Sequence, residues 1–109
     1  MMYTYTTPTI PCTIKGVSNW DHVSFVRLAI KGQCMTLIRE IPISDITVTE
    51  LENHSFIGEF TVELSQEETA QLKTGVLGIQ ARLKYDDDSV LATNSVGKRL
   101  EDVIDKVVI

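Results

Sequence analysis

The chain has 109 residues, of which 43% are hydrophobic and 23% are charged, and its formal net charge is -5. This length and composition predict one folded domain spanning residues 1–109 and exclude a disordered chain. The ten basic residues are scattered along the chain, so the charge pattern disfavours a nucleic-acid partner and binding to an anionic membrane surface.

The first residues, MMYTYTTPTIPCTI, lack the basic and continuous apolar regions of a signal peptide, and no apolar run reaches the length of a membrane span. We therefore expect a protein made in a cytoplasm, with Cys12 and Cys34 reduced rather than paired. Pro8 and Pro11 predict that this region is an edge strand or an extended arm, because proline cannot donate to a strand ladder.

Alternating apolar and polar residues predict several strands in chain order. Val23–Lys31 is the first, and a turn at Lys31-Gly32-Gln33 leads into a partner strand that reaches Arg39. A short strand is predicted over Asp45–Thr49 and another over Phe56–Leu64, in which Gly58 marks a bulge or a close backbone approach.

The only convincing helix signal is Ser65-Gln66-Glu67-Glu68, an S-x-x-E capping box. The helix is expected to end near Lys73, because Gly75 is a suitable residue for closing it. Val76–Tyr85 has the clearest alternation in the chain, and a last strand is predicted through about Leu100, followed by an irregular or helical end. This pattern predicts an all-β protein, a small antiparallel sandwich with one short connecting helix.

Asp86, Asp87 and Asp88 form the most acidic cluster in the sequence. The cluster does not match a calcium loop of EF-hand type, which needs an oxygen ligand at its fifth position and glycine at its sixth. Counted from Asp86, these positions are Val90 and Leu91. Aspartates also favour tight turns, so we interpret the cluster as a hairpin tip, with a weak cation contact as the alternative.

The sequence contains no motif for a metal site, for nucleophilic catalysis or for phosphate binding. His22, His54 and the two cysteines lack zinc-ligand spacing, and the chain has no nucleophile elbow and no phosphate-binding loop, so we predict no metal, no cofactor and no enzyme activity. Trp20, the only tryptophan, has two interpretations: a core residue between the first strands, or an exposed aromatic that binds a sugar or a protein.

One tract resembles a known family of proteins. It consists of a strand ending at Leu64, then Ser65-Gln66-Glu67-Glu68-Thr69, Lys73-Thr74-Gly75, Gln80-Ala81-Arg82, an acidic turn, and Ala92-Thr93-Asn94. This tract, together with the opening Tyr-Thr-Tyr-Thr-Thr-Pro-Thr-Ile-Pro, is similar to short β-rich structural proteins of phages and prophages of Gram-positive bacteria. It is also similar to the N-terminal immunoglobulin-like domain of phage baseplate upper proteins. The chain departs from that pattern at Asp86-Asp87-Asp88-Ser89 and at Asp105-Lys106-Val107, where such proteins commonly have Asp-Gly and Asp-Gly-Val.

The resemblance implies an immunoglobulin-like sandwich and a non-enzymatic structural or interaction role in the virion. The implied partners are other virion proteins, with a homo-oligomer as a further possibility and the segment Tyr3–Pro11 as the one expected to pair with a neighbour. The alternative hypothesis is a carbohydrate-binding module that recognises a cell-wall glycan of the host, with Trp20, Tyr85 and the aspartates at its recognition end. The candidate binding residues for these hypotheses are Tyr3, Tyr5, Trp20, Tyr85, Asp86, Asp87 and Asp88.

Overall fold

The structure, a computed structural model, describes residues 2–17, 19–93 and 95–109. Its strands are β1 (Met2–Tyr3), β2 (Thr9–Ile14), β3 (Val23–Lys31), β4 (Thr36–Pro42), β5 (Thr47–Glu50), β6 (Phe56–Glu63), β7 (Gly75–Tyr85), β8 (Val90–Ala92) and β9 (Val96–Glu101). The helix α1 spans Gln66–Leu72, and short 3-10 turns lie at Trp20–His22 and Ile43–Asp45. Among the described residues, no helix has the length and apolar character needed to span a membrane.

The described strands form two sheets that enclose the core. The larger sheet has the order β1-β9-β7-β3-β4, and β8 pairs with β7 beyond the end of β9. The smaller sheet has the order β2-β6-β5. Except for β1, which runs parallel to β9, neighbouring strands in both sheets are antiparallel. The prediction of an all-β sandwich with one short helix is confirmed.

The strand order follows that of an immunoglobulin-like sandwich. In that fold one sheet has the order A-B-E-D, and the other contains C, F and G, extended by C′ in the variable type. The strands β2, β6 and β5 occupy the places of B, E and D, while β4, β3, β7 and β8–β9 occupy those of C′, C, F and G. The place of strand A, beside β2, is filled by no strand of the described residues, because β1 pairs with β9 in the other sheet.

The two central strands are specified by their alternation. In β3 and β7 every second side chain faces the core, and the register sets Leu28 opposite Ala81 and Ile30 opposite Ile79. The turn after β3 is closed by a 2.8 Å hydrogen bond from the Gly32 amide to the Met35 carbonyl. The predicted hairpin is confirmed, and its second strand continues past Arg39 to Pro42.

The helix α1 connects β6 to β7 between the two sheets. Ser65 Oγ accepts from the Glu68 amide at 3.2 Å, and Glu68 Oε1 accepts from the Ser65 amide at 3.0 Å. These reciprocal bonds confirm the predicted capping box. Leu72, fully buried at the end of the helix, anchors it to the core.

The structure shifts one predicted strand and decides between the two interpretations of the N-terminal region. The short strand expected over Asp45–Thr49 is Thr47–Glu50, because Ile43–Asp45 forms a 3-10 turn that ends before it. Residues 3–14 are not a free arm, since β1 pairs with β9 and β2 pairs with β6 over six residues. The edge-strand alternative is therefore the correct one for β2.

Candidate interaction surface

The acidic cluster lies in the turn between β7 and β8. The Tyr85 amide donates to the Ser89 carbonyl at 2.9 Å, and the Asp88 amide donates to the Tyr85 carbonyl at 3.0 Å. Asp88 has a φ of 68°, a left-handed conformation that aspartate tolerates better than most residues. The interpretation of this cluster as a hairpin tip is confirmed.

The three carboxylates of the hairpin tip have separate partners. Asp86 accepts from Ser24 Oγ at 2.6 Å, and Asp88 lies 3.5 Å from the Lys84 ammonium. Asp87 accepts from both the hydroxyl and the amide of Ser89, and these hydrogen bonds lower the pKa of the Asp87 carboxyl. Within the described residues, no group of three or more His, Cys, Asp or Glu side chains is arranged to hold a metal ion.

Trp20 lies in the core rather than on the surface. Its side chain is 5% exposed, and its indole ring packs against the backbone of Gly58 in β6. A Cβ atom on Gly58 would lie 2.4 Å from the indole Cη2, so only glycine leaves room for the ring. The core interpretation of Trp20 is therefore confirmed, and its ring face is covered by the protein itself.

Tyr3 and Tyr5 lie at the opposite end of the sandwich from the acidic turn. Tyr3 is 41% exposed in β1, beside Glu101, while Tyr5 follows in a left-handed conformation. The eleven residues of β7 separate this end from Tyr85, a distance of roughly 33 Å at the usual rise per strand residue. The predicted binding residues therefore do not form one site.

A groove, missed by the sequence analysis, runs along the open side of the sandwich. One wall carries side chains of β2 (Ile10, Cys12 and Ile14), and the other carries side chains of β8 and β9 (Leu91, Val96 and Lys98). Core residues form the floor, among them Leu28, Phe60 and Ala81. The cavity is about 660 Å³, within the range of volumes found for ligand-binding clefts.

The far wall of the groove consists of core-facing side chains that nothing in the described chain covers. Leu91 pairs with Leu83, and Val96 pairs with Ile79. Directly paired residues point to the same side of a sheet, and both partners are buried. Yet Leu91 is 44% exposed and Val96 is 55% exposed. The cause is the unequal width of the sheets, because the smaller sheet ends at β2 and does not reach over β8 and β9.

The near wall of the groove is an open strand edge. The Leu64 amide donates to the Pro8 carbonyl at 3.1 Å, which fixes which residues of β2 bond to β6. Since hydrogen-bonded pairs alternate in an antiparallel ladder, Ile10, Cys12 and Ile14 bond inward. Thr9, Pro11 and Thr13 direct their backbone groups to the outer edge, where the proline costs no ladder bond.

The charged side chains that line the groove are both basic. Lys15 follows β2, and Lys98 lies on the opposite wall. Cys12 also lines the groove, and burial raises the pKa of its thiol. The positive charge of Lys98 offsets part of this increase. Cys12 and Cys34 are both free thiols, as predicted. Cys12 lies within the groove, whereas Cys34 is exposed in the turn between β3 and β4.

Comparison with known proteins found no matching family model, no similar curated protein and no significantly similar solved structure. The open side of the sandwich is therefore the feature from which a function is inferred.

Proposed function

We propose that this protein is a non-enzymatic structural or interaction module of a phage or prophage particle, and that it docks to another virion protein along the groove. The virion context follows from the resemblance of the tract Phe60–Asn94 and of the opening residues to phage structural proteins. The immunoglobulin-like strand order agrees with the fold that this resemblance implies.

The observation that carries the docking proposal is the absence of a covering strand, among the described residues, over the open edge of β2 and the apolar wall of β8 and β9. An open edge offers backbone hydrogen bonds, and a partner strand added there would also cover Leu91 and Val96. Strand addition beside β2 restores the four-strand A-B-E-D sheet of the fold.

The proposal is tested in particles released by the bacterium that carries the gene, after prophage induction. An antibody against the chain is expected to detect it in purified particles. The groove variant, Leu91→Lys with Val96→Lys, is expected to be incorporated about tenfold less, since replacing two apolar contacts by lysines removes more than about 1.4 kcal/mol of binding free energy.

The matched control is the outer-face variant, Val76→Lys with Val90→Lys. These residues are 65% and 55% exposed and pair with Arg99 and Lys84 on the solvent side of the same sheet. Normal incorporation of this control, with loss of the groove variant, supports the proposal. Absence of the chain from the particles, or equal incorporation of both variants, contradicts it.

A further inference from the structure

Residues 103–109, here called the tail segment, expose an unusual amount of apolar surface. Beyond β9 the chain has no regular structure, and four apolar side chains are open to solvent: Ile104 at 105%, Val107 at 58%, Val108 at 46% and Ile109 at 96%. All four are β-branched residues, which are enriched in strands. The tail segment has the composition of a strand and lacks a strand partner within the described residues.

The alternation of the tail segment matches the groove in polarity and charge. As a strand it would present Val103, Asp105, Val107 and Ile109 on one face. The one charge on this face is acidic, whereas the charged residues that line the groove, Lys15 and Lys98, are basic. Lys106 would fall on the other face and point to solvent.

In its own chain the tail segment does not enter the groove. Its last residue lies against the start of α1, where the Ile109 amide donates to Gln66 Oε1 at 2.8 Å. Gln66 Nε2 in turn donates to the Ile109 carbonyl at 2.5 Å. Both bonds come from one half-buried side chain, Gln66. A strand ladder offers more hydrogen bonds than this and covers more apolar surface.

We propose that the tail segment of one copy of this protein adds as a strand beside β2 of a second copy, covering Leu91 and Val96 with the face that carries Asp105. This inference rests on the proposed function of the groove as a docking surface and names its occupant. Each copy carries both a donor and an acceptor surface, so the contact either closes by reciprocal exchange between two copies or repeats from copy to copy as a larger ring or an open filament.

The test uses two complementary variants, each measured by size exclusion with light scattering. The groove variant, Leu91→Lys with Val96→Lys, keeps its tail segment but has lost its acceptor. The tail variant, Val107→Asp with Ile109→Asp, keeps its groove but has lost its donor face. The parent chain is expected to assemble as concentration rises. Each variant alone is expected to remain monomeric, while their mixture forms a complex of two chains.

The matched control for the tail variant is Ile104→Asp with Val108→Asp, which changes the opposite face of the same segment. We expect this control to assemble like the parent chain. A parent chain that stays monomeric at every concentration overturns the inference, as does a mixture of the two complementary variants that forms no complex.

Alkylation of Cys12 provides a second readout, in a Cys34→Ser background that leaves one thiol. The tail segment should protect Cys12 in the assembled fraction and not in the monomer. Protection that is independent of concentration would show insertion into the same chain and overturn the inference. Particle incorporation that depends on the groove but not on the tail segment would also overturn it while leaving the proposed function standing.

Discussion

The contact between Gly58 and Trp20 explains why the tryptophan is a core residue. Because Gly58 has no side chain, there is room for the only tryptophan inside the sandwich, and this burial removes the ring from the surface. The carbohydrate-binding hypothesis named Trp20 as a recognition residue, and it now has to rest on Tyr85 and the aspartates alone. The sequence indicated a special role for Gly58, but only the fold shows which side chain approaches it.

Gly58→Ala should destabilise the protein by about 1–3 kcal/mol, the usual cost of forcing extra volume into a packed core. The added Cβ would lie 2.4 Å from the indole, so the ring must move. Urea denaturation followed by Trp20 fluorescence measures the change. Gly78→Ala is the matched control, since the nearest atom would be 3.7 Å from its Cβ. A similar loss of stability in both variants would contradict the packing explanation.

The elements of this fold differ in how far local sequence predicts them. Alternation predicted β3 and β7 closely, and the capping box predicted α1, because both signals depend on residues near in sequence. The groove was not predictable, because it arises from the difference in width between two sheets. Pairing with the buried Leu83 and Ile79 makes Leu91 and Val96 core-facing, yet the end of the smaller sheet at β2 leaves them exposed.

The ion pair between Glu68 in α1 and Arg39 in β4 predicts that the stability of the protein depends on pH. Glu68 accepts hydrogen bonds from Arg39 and from the Ser65 amide. Partial burial raises the pKa of the Glu68 carboxyl, but these hydrogen bonds outweigh burial and hold its pKa below the usual value. A lowered pKa in the folded state stabilises the protein above the unfolded pKa, which is about 4.3 for glutamate. That stability is lost as the pH falls further, through the folded pKa.

Glu68→Gln should therefore lower the free energy of unfolding at neutral pH by about 1 kcal/mol, since the ion pair is partly screened by solvent. The variant should also lose less stability than the parent chain between neutral pH and about pH 3, because its side chain does not titrate. Urea denaturation at several pH values checks both expectations. Glu67→Gln, at the exposed neighbouring position, should keep the parent's pH profile. An unchanged profile in Glu68→Gln would refute the explanation.

In the whole molecule, the open side of the sandwich and the exposed tail segment complement each other. The groove lacks a strand, and the tail segment is a strand-like sequence without a partner in the described chain. A chain that donates its tail segment to a second copy must keep its own sandwich folded, so the sandwich has to be stable without residues 104–109. Otherwise a loss of assembly on changing the tail segment could reflect a loss of the fold.

A chain that ends at Val103 should unfold cooperatively, with a free energy of unfolding within about 0.5 kcal/mol of the parent monomer, as expected when only exposed residues are removed. Val103 is kept because its amide and the Asp102 carboxylate both bond to Thr4 Oγ1, which is buried next to β1. A shorter chain that ends at Arg99 is the contrasting variant. It loses the buried Leu100 and should be destabilised by about 2–5 kcal/mol. Urea denaturation in dilute solution measures both. If the chain ending at Val103 lost as much stability as the chain ending at Arg99, the tail segment would belong to the core of its own chain.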